Sequence, residues 1–469
     1  MDKAQKISSV EEFSNQNSSI RLLGYDPVAN KVGAMPLSAI TSKTAYCGVR
    51  WKKAEAKTEG EPFGDLTMLA NLPSILGLGG YLVQNDHSRR KLDPTNHKRF
   101  ASGGVAALDG TMGHYHWGWN IPWYYAHWED DIYECEAVST APISGHWNYR
   151  IPVASMSCSG AAALDRTNNI LVSFCNRTAQ YRGGTNVADN DAKWNTMLGK
   201  AVVQVNEELL QDYAEKNGDR WGASMFPMVF AVGVLTRIIF HNRNIQAAYN
   251  ASLTADGLHQ GGLGIGIDNV NADFGNQYAT LDLDALSEKG DATGVFSVTL
   301  DKGDGTQKVI KGIPCFYGLK NWYRNIWMMM HGVIAQATAN KTLDVLILRK
   351  WTKAAVNTTN TSGFVKVGSI PAVDTSNWYF GKRFNLDNMI AFPLEWGGSE
   401  STYYADGFFH PAATSGLRGL AAFARAVDGG SAGSCALHAD VAPSNSNALC
   451  GAFLCEADED WDTEATWVA

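Results

Sequence analysis

Apolar and polar residues alternate over short runs through most of the chain, and Gly, Pro, Asn or Asp breaks each run. This pattern predicts many short strands joined by tight turns. Residues 280–311 alternate around Gly303-Asp304-Gly305, a hairpin signal. Residues 343–351 (LDVLILRKW) read as a buried strand. Near the N-terminus, IRLLGYDPVANKVGAMPLSAI predicts a strand, a turn at Asp26-Pro27 and a second strand, a unit too small to fold alone. Two stretches carry helical spacing instead. Over 198–217, Leu209, Leu210, Tyr213 and Ala214 share one face, Glu207, Glu208, Asp212 and Glu215 the other, and Gly218 supplies a stop. A second helix is expected over 226–250, apolar on all sides in its first half and therefore a core helix.

Elsewhere the pattern is weaker. Residues 46–135 read as β-rich, with 86–99 a solvated basic loop. Residues 255–268 contain G-G-x-G-x-G with no strand before and no helix after, so they read as a loop needing positive φ and not as a dinucleotide loop. Residues 355–368 read as a connection, and GAFLC as the last strand before an acidic tail.

The densest apolar stretch is Ile313–Val333, where Phe316, Tyr317, Trp322, Tyr323, Ile326, Trp327 and three Met crowd together. It reads as a buried turn and strand at the centre of a domain. Residues 110–128 hold four Trp, three Tyr and three His and read first as an aromatic core or subunit seam.

Composition sharpens this picture. With 469 residues the chain can bury sizeable cores, 46 Gly and 15 Trp favour a loop-rich β protein, and charged residues are only 18 %. A net charge of −8 with no long basic run argues against nucleic-acid binding. No apolar run approaches a membrane span, and the N-terminus shows no secretory leader. Eight Cys at irregular spacing make no disulfide framework and read as buried thiols.

Candidate chemistry is sparse. His114, His116 and His127 offer a metal reading with no carboxylate at ligand spacing nearby except Glu129 to Asp131. Glu129, Asp130 and Asp131 offer a glycosidase carboxylate pair on spacing alone. No G-x-S-x-G, HExxH or P-loop motif occurs. No enzyme activity, cofactor or metal is expected.

Gly318, Asn321, Asn325, Trp327 and Gly332 fall in the pattern G-x-x-N-x-x-x-N-x-W-x-x-x-x-G. This resembles the core motif of C-type-lectin-fold domains of the formylglycine-generating-enzyme type. The phrases LDGTMGHY, YRIPVA, ADGLHQGGLG, GLKNWYRNIW, PLEWGGSESTYYADGFF and GAFLC are similar to virion proteins of phages infecting Bacteroides-like hosts, and LLGxDxxxNKVxxxPLS to the attachment segments of phage fibres.

The resemblance implies a mixed, β-rich α+β fold: a C-type-lectin-like domain with two helices packed on a twisted antiparallel β-region, preceded by a small β-rich part. The expected division is an attachment or oligomerisation segment (1–45), an aromatic β-rich domain (46–136) and the lectin-like domain (137–469). It implies a ligand face on the last loops, Tyr403, Tyr404, Asp406, Arg425, Asp428, Ser431, Ser434, His438, Asp440, Asn445 and Asn447. In relatives diversified by retroelements, variable positions cannot become Lys, Glu, Gln, Met or Trp, and none of these occurs over Arg425–Cys450. The enzymes of this fold bind copper with a Cys pair. Cys450 and Cys455 are of that residue type, but their odd spacing points them to opposite faces of a strand.

The implied function is a trimeric, fibre-type virion protein that recognises a host-surface glycan or protein and docks on other virion proteins through its N-terminal segment. A capsid head fibre, decoration protein or tail adaptor is the alternative, and a polysaccharide-active enzyme a remote one.

Overall fold

The apolar run FPMVFAVGVLTRIIF folds as one helix, Phe226–Phe240, whose residues are buried from Phe226 through Ile238. It is the longest of four α-helices in a computed structural model that describes residues 21–26, 31–36, 45–249, 281–301, 303–351 and 361–469. In chain order the helices are α1 (Leu66–Leu76), α2 (Glu207–Glu215), α3 (Phe226–Phe240) and α4 (Ile245–Tyr249). The chain divides into two units, Met1–Ala45 and Tyr46–Ala469. In the first, Arg21–Asp26 and Lys31–Pro36 form an antiparallel hairpin with Arg21 opposite Pro36 and Asp26 opposite Lys31.

Local signals set the helix ends. Asp65 caps α1 by accepting from the Met68 N–H at 2.9 Å, and Gly77 closes it at φ 69°. Leu69, Leu72 and Leu76, at helical spacing, are buried. Sequence reading missed this helix because its cap and stop lie in a β-like context. Helix α2 begins at residue 207, not 198, because the Asn206 side chain accepts from the Leu209 N–H at 2.9 Å. Its buried face is Glu207, Leu210, Gln211 and Ala214, while Leu209 is 39 % exposed. The expected face is thus rotated: the Gln211 carboxamide can be buried because it accepts from the Ala223 N–H at 3.0 Å. The expected 226–250 helix is two: His241 adopts φ 54° and ends α3, and the Asn244 side chain accepts from the Gln246 N–H as α4 starts.

Strands dominate the second unit. A six-stranded sheet runs in the order Thr466–Val468, His146–Ile151, Trp123–Glu129, Tyr133–Ser139, Cys47–Lys52, Glu61–Gly64. A seven-stranded sheet runs Trp221–Ala223, Leu454–Ala457, Ala154–Ser157, His114–Gly118, Gly79–Val83, Arg89–Asp93, Asn96–Phe100. Both sheets draw strands from either side of residue 136, which itself lies inside a strand, so the expected domain boundary there is absent. The basic stretch 86–99 is a hairpin and not a solvated loop, because His97 and Leu92 are buried on its inner side. The acidic tail is also structured: Trp461–Asp462 pairs with Lys350–Trp351 and Thr466–Val468 with His146–Asn148. The 255–268 glycine loop lies outside the described residues.

The third large sheet holds ten strands. Its main path runs Val365–Ile370, Leu343–Ile347, Val333–Ala337, Leu417–Ala422, Leu437–Val441, Gly407–His410, Asn377–Asn385, Phe392–Trp396. The two end strands, Val365–Ile370 and Phe392–Trp396, touch without pairing, so the sheet curls into a nearly closed barrel with one seam. At that seam a Cβ on Gly368 would stand 2.7 Å from Phe392 Cζ, so glycine is what lets the edges approach.

This architecture overturns the C-type-lectin-like α+β expectation. Strand accounts for 41 % and helix for 14 %. Helix α2 packs on Trp221–Ala223 and Ile170–Val172, and α3 on α1, on α4 and on strands 47–52, 133–139 and 154–157, so the two helices expected from the sequence pack on different strands. The pattern-derived strands were short and numerous enough to build whole sheets, and the helical runs became fillers between them.

Candidate functional site

The expected ligand residues divide by burial. Tyr404 and Asp406 are 2 % and 1 % exposed, and Ser431 and Ser434 are buried as well. The Tyr404 ring packs on Phe384 with centroids 4.2 Å apart, and the Arg243 guanidinium sits 4.2 Å from its centroid. Asp406 accepts from the Cys435 N–H at 2.6 Å, and burial pushes its carboxyl up to about 7. Tyr404 and Asp406 anchor the loops, and all four side chains are withdrawn from the surface. Small polar composition misled here, because small residues also permit close backbone packing.

Others keep some access. Asp440 and Asn445 are exposed, while Arg425, Asp428, His438 and Asn447 are half-buried. Arg425 Nε donates to Asp428 Oδ1 at 3.1 Å, and Asp440 pairs with Arg418 at 3.4 Å. His438 stacks on Phe409 at 4.5 Å, and burial, aided by Arg425, lowers its imidazole to about 4. Asn447 accepts from the Leu449 N–H, which is a turn contact. Tyr403 lines a separate cleft of about 270 Å³ with Lys52, Glu129, Lys382 and Arg383, where cations and carboxylates already pair.

The expected hub is interior. Trp322, Tyr323, Met328 and Met329 are 0 % exposed, and Asn321 and Asn325 are buried. Gly318 (φ 100°) and Gly332 (φ 78°) take left-handed turns, and Asn325 bridges to Arg425. Trp327 stacks on Trp378, which ties the hub to the ten-stranded sheet.

The aromatic run 110–128 is core: Trp117, Trp119, Trp123 and Tyr125 are at most 1 % exposed. His114 and His116 are buried neighbours, whereas His127 pairs with Asp387 at 3.0 Å, so the three do not converge. Among the described residues no group of three His, Cys, Asp or Glu is placed to hold a metal. Cys450 and Cys455 lie on different strands, paired to residues 327 and 156 respectively, and all eight Cys are free thiols.

One buried cluster has the chemistry of a nucleophile site. His97 Nε2 donates to Asp291 Oδ1 at 2.8 Å, while its Nδ1 accepts from the Tyr115 hydroxyl at 2.7 Å and from Lys320 Nζ at 3.1 Å. Cys158 Sγ lies 3.8 Å from the same Nδ1. Burial lowers His97 to about 4 and raises the Cys158 thiol, so the thiol stays protonated and the imidazole neutral. Cys158 and His97 are 0 % exposed. The cluster fastens strand 79–83, Asp291 and the 318–320 turn together.

The open concave surface lies elsewhere. A cleft of about 590 Å³ sits at one end of the barrel seam, lined by Asn340, Lys341, Asp374, Thr375, Tyr379 and Trp396 among others. The Lys341 turn (φ 60°) joins strands 333–337 and 343–347; Asp374 and Thr375 follow one edge strand, and Trp396 ends the other. Both rings are half-buried and meet at 5.4 Å with 40° between planes. Tyr379 donates its hydroxyl to the Thr375 carbonyl at 2.8 Å, Trp396 Nε1 to the Pro371 carbonyl at 3.3 Å, and Lys341 Nζ to the Asp374 carbonyl at 3.1 Å. These three bonds fix the 371–375 loop. Sequence reading missed this cleft; its only local signal is a polar Asn-Lys turn and a Val-Asp-Thr turn, each between apolar strands.

No helix among the described residues is long and apolar enough to cross a membrane. No protein-family model and no curated protein matches the chain.

Proposed function

We propose that this chain is a structural protein of a phage virion that attaches the particle reversibly to its host's surface. The observation that carries this reading is the division of the chain. A small N-terminal unit holds a two-stranded hairpin, and a large β-rich unit presents open clefts. A lone two-stranded ribbon is marginal in water, so the hairpin needs a partner surface to be stable. Another virion protein, or further copies of the chain, supplies that surface. The resemblance of its LLGxDxxxNKVxxxPLS phrase to fibre attachment segments supports the same role. The large unit is then the displayed part. Its work is binding, and repetition on the particle lets modest single-site affinity suffice through avidity.

Two measurements test the reading. Fab fragments raised against the exposed 440–446 loop are imaged on intact virions, and the purified full-length chain is added to an adsorption assay. Labelled fibres or tail tips together with blocked adsorption support host attachment. Label spread over the capsid without adsorption block replaces it with a decoration role. Virions that lack the protein overturn both.

A further inference from the structure

We propose that the cleft at the barrel seam is a saccharide-binding site that takes neutral hexopyranose units. The inference deepens the host-attachment reading by naming the ligand class of one site. Pyranoses combine a C–H face, which packs on aromatic rings, with a rim of hydroxyls that need donors and acceptors together. The cleft supplies both. Tyr379 and Trp396 form an aromatic wall, tilted 40° to each other. The Asn340 and Asp374 side chains are exposed, and among the described residues neither has a hydrogen-bond partner. A carboxamide gives and accepts, and a carboxylate accepts from two adjacent hydroxyls. Lys341 uses one N–H on the Asp374 carbonyl, leaving two of its three donors.

Charge selects the class. One ammonium and one carboxylate share the rim, so the cleft carries no net charge for an acidic sugar to neutralise. Size agrees: about 590 Å³ lies within the roughly 300–1,000 Å³ typical of small-molecule sites, and the mouths of β-barrels are a recurrent location for them. The wall is also preorganised. The hydrogen bonds from Tyr379, Trp396 and Lys341 hold the 371–375 loop before any ligand arrives.

The test uses the full-length chain with methyl glycosides of glucose, galactose, mannose and N-acetylglucosamine, and with methyl glucuronide as the acidic comparison. Saturation-transfer NMR reads which sugar protons lie on aromatic rings, and titration calorimetry reads affinity. At least one neutral glycoside is expected to take up saturation on one ring face. The double variant Asn340→Ala/Asp374→Ala is expected to weaken its binding at least tenfold with an unchanged melting temperature. Unchanged binding in the double variant overturns the site, and binding of the glucuronide alone overturns the ligand class. If the wild-type chain blocks phage adsorption but binds no glycoside, this inference falls and the attachment reading stands. If glycosides bind through Asn340 and Asp374 but the chain never blocks adsorption, the site stands and the attachment reading falls.

Discussion

Gly433 lies so close to Asp406 that a Cβ at position 433 would overlap the carboxylate oxygen Oδ1. The contact fixes the 431–435 loop against strand 407–410 and shuts Asp406 away from water. Gly433→Ala must push the loop or the carboxyl aside. Overpacking of this kind costs about 1–3 kcal/mol. Urea denaturation should show a lower midpoint with the same slope; an unchanged midpoint would mean the loop yields freely.

The same carboxyl makes stability depend on pH. Burial holds Asp406 protonated up to about pH 7, against an ordinary value of 3.8. The folded chain therefore keeps a proton that the unfolded chain has released, so this site's contribution falls as pH rises from 3.8 towards 7. Asp406→Asn removes that slope. The variant should gain on the wild type between pH 4 and pH 8, by no more than about 4 kcal/mol. Parallel stability curves for the two proteins would refute the assignment.

Arg237 and Glu136 form an ion pair at 2.8 Å with both side chains 1 % exposed. Tyr125 adds a hydrogen bond to the same carboxylate at 3.0 Å. Removing one partner strands the other charge in the core. Arg237→Met should lose about 3–5 kcal/mol, whereas Arg237→Met with Glu136→Leu should recover part of it. A double variant less stable than the single one would show that the pair is not the source of the loss.

Trp461 belongs to an acidic tail by sequence, yet it is fully buried and its Nε1–H points to Met389 Sδ at 3.0 Å. Trp461→Ala should cost about 3–5 kcal/mol. A tail that is merely a solvated appendage would give no change in melting temperature.

Within the terminal loops, Tyr404→Ala should lower the melting temperature strongly, since it empties a core site beneath Arg243 and Phe384. Asp440→Ala and Asn445→Ala should keep the unfolding free energy within about 0.5 kcal/mol of wild type, as surface changes do. An adsorption defect in the Tyr404 variant would then be a folding defect, and one in the Asn445 variant a binding defect.

Much of the strand content was legible in the alternation. The hairpin around residues 303–305 has its partner strands at Gly294–Asp301 and Gln307–Phe316, and the all-apolar run at 226 is a buried helix. What the pattern could not carry was pairing between distant residues. Strand 133–139 finds 47–52, 123–129 finds 146–151, and 454–457 finds 154–157, by matching faces that no local window displays. The helical expectation failed at α2 because Asn206 caps the helix well after the expected start at residue 198, and at Leu209, where burial followed tertiary contact and not hydropathy. The ligand face failed for a related reason. Small polar residues such as Ser431 and Ser434 look free of core duty, but a serine can be buried where backbones approach. The seam cleft is assembled from three separate turns and becomes visible only when the sheet closes.

The strand Leu454–Ala457 sits between Ala154–Ser157 and Trp221–Ala223, and Thr466–Val468 borders His146–Asn148. A ribosome that has delivered the chain only as far as residue 440 has released residues 146–223 without the neighbours they are built to meet. Their central sheet stays open, with bare backbone donors and acceptors, until the last stretch emerges. Folding is thereby coupled to translation: a product interrupted before residue 454 exposes unpaired strand edges.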